Sequence, residues 1–231
     1  MKRIPLTLSI ILLLCCYANA QSQVEHGGVV SEGLYINSDF GFSYKFPKDW
    51  VVHGDATKER IREIGREKAE ESGVSKASIE VALKNTYQLL TVFRHPVGTP
   101  GLTFNPAILV IAEKVSYAPG ITNGKDYLLN GRARILKAGT HQVLLKEPRE
   151  YNFAGAQFFR DDYAAEINGV HVVQAYFAHV TKGYALLFMF LGEDQKSVDE
   201  MAKTMETFDT TPVVRRGVTT IIGSEPQRKP N

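Results

Sequence analysis

Apolar and polar residues alternate most regularly in the stretch 157–191, where three apolar-rich runs are separated by two very short breaks. The breaks are Asn168-Gly169 and Lys182-Gly183. Asn-Gly between two apolar-rich runs favours a type I′ turn, because both central positions of that turn need positive φ. The pattern therefore predicts three consecutive antiparallel strands joined by two-residue turns.

A two-residue turn also fixes which residues face each other across a hairpin. Glu166 then faces His171, and Asp162 faces Ala175. The third run, 184–191, is apolar at every position, so we expect it to be covered on both faces. The first run carries four charged residues, Arg160, Asp161, Asp162 and Glu166. We therefore expect the first strand to lie nearer to solvent.

Periodic patterns predict further elements on both sides of this stretch. Strands are expected at 34–37, 42–46, 86–94, 107–116 and 143–153. Pro148 in the last of these is typical of an edge strand or a bulge. Helices are expected at 55–71, 76–85 and 125–138, and a final one begins at Asp194 or Ser197. Its apolar stripe, Val198, Met201, Ala202, Met205 and Phe208, predicts that this helix covers one face of the sheet.

Short motifs of aromatic, glycine and proline residues follow one another through residues 33–208. They are Tyr35-x-Asn37, Gly41-Phe42-Ser43-Tyr44-x-Phe46-Pro47-x-x-Trp50, Pro106 to Glu113, Pro119-Gly120, Asp126-Tyr127-Leu128, Gly155-x-x-Phe158-x-Arg160 and Gly183-Tyr184 to Phe188. Their order and spacing resemble those of the PsbP-like domains. That family is named for an extrinsic protein of the photosystem II oxygen-evolving complex and also includes secreted bacterial proteins of unknown function.

The resemblance implies an α+β fold of the PsbP-like α/β/α type, with one antiparallel sheet of about six to seven strands sandwiched between helices. It implies no catalytic residue, because the family shares no active-site motif. The helix expected at 55–71 departs from the most compact family pattern, since it follows Trp50 as an insertion.

The first 20 residues have the pattern of a secretory signal peptide. Lys2 and Arg3 precede an apolar run, and Ala18-Asn19-Ala20 is a cleavage site of the A-x-A type. We therefore expect cleavage after Ala20 and a secreted or periplasmic protein. A lipoprotein modified at Cys15 or Cys16 is the alternative. We expect a linker at 21–32, the PsbP-like domain at 33–208 and a largely disordered tail at 209–231.

Charge and cysteine content narrow the classes of function. The chain has 27 Lys and Arg and 25 Asp and Glu, so loss of Lys2 and Arg3 leaves equal numbers of both signs. The mature chain then has no global basic field of the kind that favours nucleic acid. Both cysteines precede residue 20, which excludes thiol catalysis and disulfides from the mature protein. No stretch after the signal reaches the ~20 apolar residues of a membrane span.

Catalytic and cofactor motifs are missing from the sequence. It has no Walker loop, no G-x-G-x-x-G after a strand, no H-E-x-x-H and no G-x-S-x-G, so no cofactor and no metal is expected. The candidate binding residues are Arg160, Asp162, Glu166, His171, His95 and Trp50. Glu166 and His171 form either a structural cross-strand pair or an acid–base pair. Trp50 is either a core anchor or a ligand-stacking residue, and residues 95–106 either line a binding site or only connect two strands.

Three functions remain open on this evidence. The first is a secreted or periplasmic, non-catalytic binding or accessory module with a protein partner in the cell envelope. The second is a small envelope hydrolase that uses Glu166 and His171, with the loop 95–106 as a lid. The third is a structural accessory subunit of an envelope complex, attached through residues 209–231.

Overall fold

The computed structural model describes residues 27–71, 73–137, 142–167 and 169–211. The expected signal peptide with both cysteines and most of the expected tail, residues 212–231, lie outside the described residues. So does Asn168 of the first predicted turn. Residues 29–31, which the sequence placed in a linker, form a short strand.

Ten strands form two antiparallel sheets. The small sheet has the order β1-β2-β3 and contains β1 (Val29–Ser31), β2 (Leu34–Asn37) and β3 (Phe42–Lys45). The large sheet contains β4 (Val51–Val52), β5 (Thr86–Phe93), β6 (Ala107–Lys114), β7 (Val143–Phe153), β8 (Ala156–Ile167), β9 (Val170–Thr181) and β10 (Tyr184–Gly192). Its strand order is β4-β5-β6-β10-β9-β8-β7, so β10 lies in the middle.

Four helices complete the α+β fold. They are α1 (Asp55–Glu71), α2 (Lys76–Lys84), α3 (Gly124–Lys137) and α4 (Gln195–Ala202), and a 3₁₀ turn (Lys203–Thr207) follows α4. Asp194 caps α4 by accepting a hydrogen bond from the backbone N–H of Ser197, and the Ser197 hydroxyl completes a capping box. The predicted helices and the predicted sheet of six to seven strands are thus confirmed.

The register predicted for the central strands is also confirmed. Glu166 pairs with His171, Asp162 with Ala175 and Phe177 with Phe188. The second turn has two residues, because Thr181 pairs with Tyr184. Its first residue, Lys182, adopts a φ of 50°, although a lysine tolerates positive φ poorly.

The two faces of the large sheet bury separate apolar clusters. The first face contains Phe158, Phe177, Phe188 and Phe190 and is covered by α4 and by aromatic residues of the small sheet. The second face contains Leu109, Ile111, Leu187 and Met189 and is covered by α3 and by Ile61 of α1. One face is therefore covered by a helix together with a second sheet, an arrangement that the sequence pattern did not reveal.

The expectation that the first central strand lies nearer to solvent is wrong. Strand β7 pairs with β8 on its outer side and forms the edge of the sheet, with register shifts around Pro148. Strand β8 is consequently interior, and Arg160, Asp161 and Asp162 are at most 6% exposed. Burial of three consecutive charged residues requires partners for each of them.

Candidate functional site

Two of the predicted site residues, Glu166 and His171, lie next to the turn that joins β8 and β9. They are register partners, and both side chains are exposed. A cross-strand pair in this position contributes about 0.2–1 kcal/mol to stability. The groove formed by the loop 95–106 is lined by residues between 93 and 105, and neither Glu166 nor His171 contributes to it.

Two other predicted residues, Arg160 and Asp162, are partners in a buried ion pair. Arg160 Nε donates to Asp162 Oδ1 at 2.6 Å, and the Arg160 guanidinium lies 5.2 Å from the centre of the Phe177 ring. Arg149 Nη2 of β7 donates to Asp162 Oδ2 at 2.8 Å. Arg160 Nη2 also donates a hydrogen bond to Asp199 Oδ1 of α4. Arg160 and Asp162 thus join the edge strand, the sheet and α4, and their charges are used within the fold.

Asp161 points to the opposite face of β8 and belongs to a buried group that we call the polar square. The square consists of Asp161, Tyr163, Gln174 and Tyr176, each at most 4% exposed. Asp161 is the register partner of Tyr176, and Tyr163 is the partner of Gln174. The Tyr163 hydroxyl donates to Asp161 Oδ2 at 2.9 Å, and the Tyr176 hydroxyl donates to Gln174 Oε1.

Helix α3 covers the polar square and leaves a cavity of about 10 Å³ between them. Tyr127, Gly131 and Arg132 of α3 line this cavity together with Asp161 and Tyr163. Arg132 is also paired with a carboxylate of β7, because its Nη2 donates to Glu147 Oε2 at 3.0 Å. Arg132 is thereby held at the rim of the cavity.

Burial raises the pKa of Asp161 to about 7. The hydrogen bond from Tyr163 and the positive charge of Arg132 oppose this rise of the pKa, whereas the neighbouring charge of Asp162 adds to it. Burial likewise raises the pKa of the Tyr163 hydroxyl, and the Asp161 carboxylate beside it adds to that effect. A buried carboxyl that titrates near neutral pH is a common feature of functional sites.

The loop 95–106 forms the second candidate site. Its two ends are held together because Arg94 N donates to Pro106 O at 2.9 Å. Asn105 adds two bonds, accepting from His95 N at 3.0 Å and donating to His95 O at 2.8 Å. The loop encloses an open groove of about 220 Å³, which we call the loop groove. Its apolar lining consists mainly of Phe93, Pro96, Val97, Leu102 and Phe104.

The two remaining predicted residues lie apart from each other. His95 is half-buried at the base of the loop, and its backbone rather than its ring makes the bonds to Asn105. Trp50 is half-buried and packs against the apolar cluster on the first face of the sheet, as a core anchor does. Phe93 and Phe104 of the loop groove belong to the cluster on the second face.

Sequence reasoning missed Asp161 and Arg132 as candidates. Alternation already placed Asp161 on one face with Tyr163, Gln174 and Tyr176, and the register made them neighbours. The missing information was burial, because a run of charged residues is typical of a solvated strand. Arg132 comes from a helix whose packing onto β8 no local pattern specifies. In the described part of the chain, no group of three His, Cys, Asp or Glu residues is placed to hold a metal ion.

No protein-family model and no curated protein sequence matches the chain. Several solved structures match it in fold. The chain is 12% identical to PsbP of the cyanobacterium Synechocystis, with 79% of this chain and 95% of that one covered and a TM-score of 0.42. It is 11% identical to LpqN of Mycobacterium tuberculosis, a protein involved in cell envelope biogenesis, with 73% and 82% covered and a TM-score of 0.40.

A third match is a Pseudomonas aeruginosa protein of unknown function, described as a putative regulator. It is 14% identical, with 58% of this chain and 83% of that one covered and a TM-score of 0.37. Among the described residues, no helix combines the length and the apolar character that crossing a membrane demands.

Proposed function

We propose that this protein is a non-catalytic binding module that acts outside the cytoplasm and contacts a protein partner through the loop groove. The observation that carries the proposal is a preformed apolar groove on a surface loop. Bonds across its base fix the loop, so little conformational entropy is lost when a partner binds. Compact surface loops whose ends lie close together are frequently functional.

The size and lining of the groove favour a protein as the partner. About 220 Å³ is less than the ~300–1,000 Å³ of typical small-molecule pockets, but it accommodates one or two bulky apolar side chains. Val97 is 56% exposed at the groove, an arrangement that exposes apolar surface to water in the free protein. Interfaces are commonly anchored by a few apolar side chains in such pockets.

The chemistry of the preferred partner segment follows from the groove and its surroundings. Arg94 is exposed at the base of the loop and supplies a positive charge beside the apolar lining. A segment with a bulky apolar side chain and a neighbouring carboxylate complements both features. The signal-like sequence at 1–20 supports an encounter in the cell envelope or outside the cell.

A position-specific cross-linking experiment in the native envelope tests the proposal. A photoreactive residue replaces Val97 in the full chain, and a matched variant carries it at Val81, which is 54% exposed on α2. We expect one discrete adduct from position 97 that is lost when Arg94 is changed to Glu. Equal adducts from both positions, or none from position 97, would contradict the proposal.

A further inference from the structure

The cavity beneath α3 has two unpaired polar atoms in its wall. Asp161 Oδ1 and Arg132 Nε are both buried, and neither has a hydrogen-bond partner among the described atoms. Both residues line the cavity, together with the ring of Tyr163. One atom accepts a hydrogen bond and the other donates one. A single molecule that can do both would satisfy the two groups at once.

The volume of the cavity limits its occupant to the size of water. About 10 Å³ is close to the ~10–15 Å³ that one water molecule needs, and a buried water requires about two to four polar partners. The Asp161 carboxylate and the Arg132 guanidinium provide two. Leaving both groups unsatisfied in the interior would cost more than immobilising one water.

Charged and titratable groups face Asp161 from four elements. Those on its own face of the sheet are Tyr163 of β8, Tyr176 of β9, and Tyr127 and Arg132 of α3. Asp162 of β8 acts from the opposite face, and Glu147 of β7 acts through Arg132. Tyr127 is itself engaged, since its hydroxyl donates to Glu113 Oε2 at 2.7 Å. Arg132 is thus the cation nearest to the carboxyl among the described residues that line the cavity.

We propose that this cavity is a proton-binding site, in which one internal water accepts from Arg132 Nε and donates to ionised Asp161 Oδ1, and in which Asp161 takes up a proton on acidification. Protonation turns Oδ1 into a group that can donate to the same water, which then reorients. Arg132 loses one of its two neighbouring negative charges and depends on Glu147 alone. The attachment of α3 to the sheet therefore changes with pH.

Carboxyl-carbon NMR titration of the aspartate-labelled mature protein tests the proton site. One buried carboxyl is expected to titrate with a midpoint of about 7, and Asp161→Asn should remove that signal. Tyr163→Phe removes a hydrogen bond to the ionised form and should raise the midpoint by about one to two pH units. Tyr44→Phe is the matched control, because Tyr44 is buried on the other face of the sheet, where its hydroxyl lies 2.6 Å from Thr204 Oγ1, and it should leave the midpoint in place.

The water is tested by crystal structures of the mature protein on both sides of neutral pH. One ordered water within about 2.7–3.2 Å of Asp161 Oδ1 and Arg132 Nε is the expected result. A dry cavity, or an aspartate titration between about pH 5.5 and 8.5 that persists in Asp161→Asn, overturns the inference. Equal midpoints in Tyr163→Phe and Tyr44→Phe overturn it as well. Circular dichroism confirms folding of each variant first.

Discussion

Asp161 and Asp162 are consecutive residues of β8, both are 0% exposed, and their side chains leave opposite faces of the sheet. Asp162 meets Arg160 and Arg149 on the side of α4, so its charge is compensated by two guanidinium groups. Asp161 meets a tyrosine hydroxyl and a water-sized cavity beneath α3. The alternation of a strand thereby gives two neighbouring carboxylates different chemical roles.

Removing the charge of Asp162 should destabilise the fold strongly. Asp162→Asn leaves Arg160, which is 6% exposed, with only the partly exposed carboxylate of Asp199, and it removes the carboxylate that Arg149 contacts. Because breaking a buried ion pair by removing one partner is costly, we expect the free energy of unfolding to fall by about 3–5 kcal/mol. Urea denaturation at neutral pH measures this change.

Glu147→Gln is the control for the loss of a carboxylate. Glu147 pairs with Arg132 at 3.0 Å, but its side chain is 75% exposed. Solvent-exposed ion pairs contribute about 0–1 kcal/mol, so this variant should unfold almost like the wild type. Equal losses in the two variants would show that the Arg160 pair has no special structural role.

The stability of the protein should carry a pH dependence that originates from Asp161. Its pKa is about 7 in the folded protein and 3.8 is its ordinary value, so the folded state retains a proton that the unfolded state releases between these values. Stability therefore falls as pH rises from about 4 to about 7 and the contribution is constant above and below this window. The difference between these two pKa values corresponds to at most about 4 kcal/mol of the free energy of unfolding.

Asp161→Asn should remove this pH dependence. We expect the variant to gain stability relative to the wild type as pH rises from about 4 to about 7, with the full difference above neutral pH. Chemical denaturation at a series of pH values measures the difference. A constant difference across the whole window would contradict the raised pKa.

The close approach of α3 to the sheet should be sensitive to one methyl group. A Cβ at Gly124 would lie 2.0 Å from the carbonyl oxygen of Ala178 in β9, so Gly124→Ala must displace backbone. We expect a loss of about 1–3 kcal/mol in the free energy of unfolding, as for other overpacked sites. Thermal and urea denaturation both report it.

Gly131→Ala in the same helix is the control for the Gly124 variant. A Cβ at Gly131 would meet no atom within 4 Å apart from its neighbours in the chain and the backbone of its own helix. Alanine is about 0.5–1 kcal/mol more favourable than glycine inside a helix, so this variant should be more stable than the wild type. Opposite signs for the two variants would locate the effect at the contact with β9.

The turn between β7 and β8 should become more stable when Ala154 is replaced by Asn. Ala154 has a φ of 49°, a left-handed conformation that costs most residues about 1–2 kcal/mol but that asparagine adopts more readily. We expect a gain of about 0.5–1 kcal/mol, measured by urea denaturation. Gly155→Ala should have the opposite effect, since Gly155 has a φ of 79°, which alanine adopts poorly even though its Cβ would meet no other atom there.

The sequence alone determined the local structure of this protein. Two-residue turns fixed the register that pairs Glu166 with His171 and Phe177 with Phe188, because such a turn leaves only one alignment of the strands that follow it. The stripe from Val198 to Phe208 identified α4 and the 3₁₀ turn after it as a cover of the sheet, since its spacing matches one helical face. These features depend on residues close together in the chain.

Only the tertiary structure decided which polar residues are buried. Strand β7 lies outside β8, and α3 and α4 cover the two faces of β8, so a charged sequence that is typical of an exposed strand becomes interior. Arg132 reaches Asp161 from another part of the chain, and the Asn105 side chain holds the base of the loop by bonding the backbone of His95. Burial and the pKa of a buried carboxyl depend on everything packed around them, which no short sequence pattern contains.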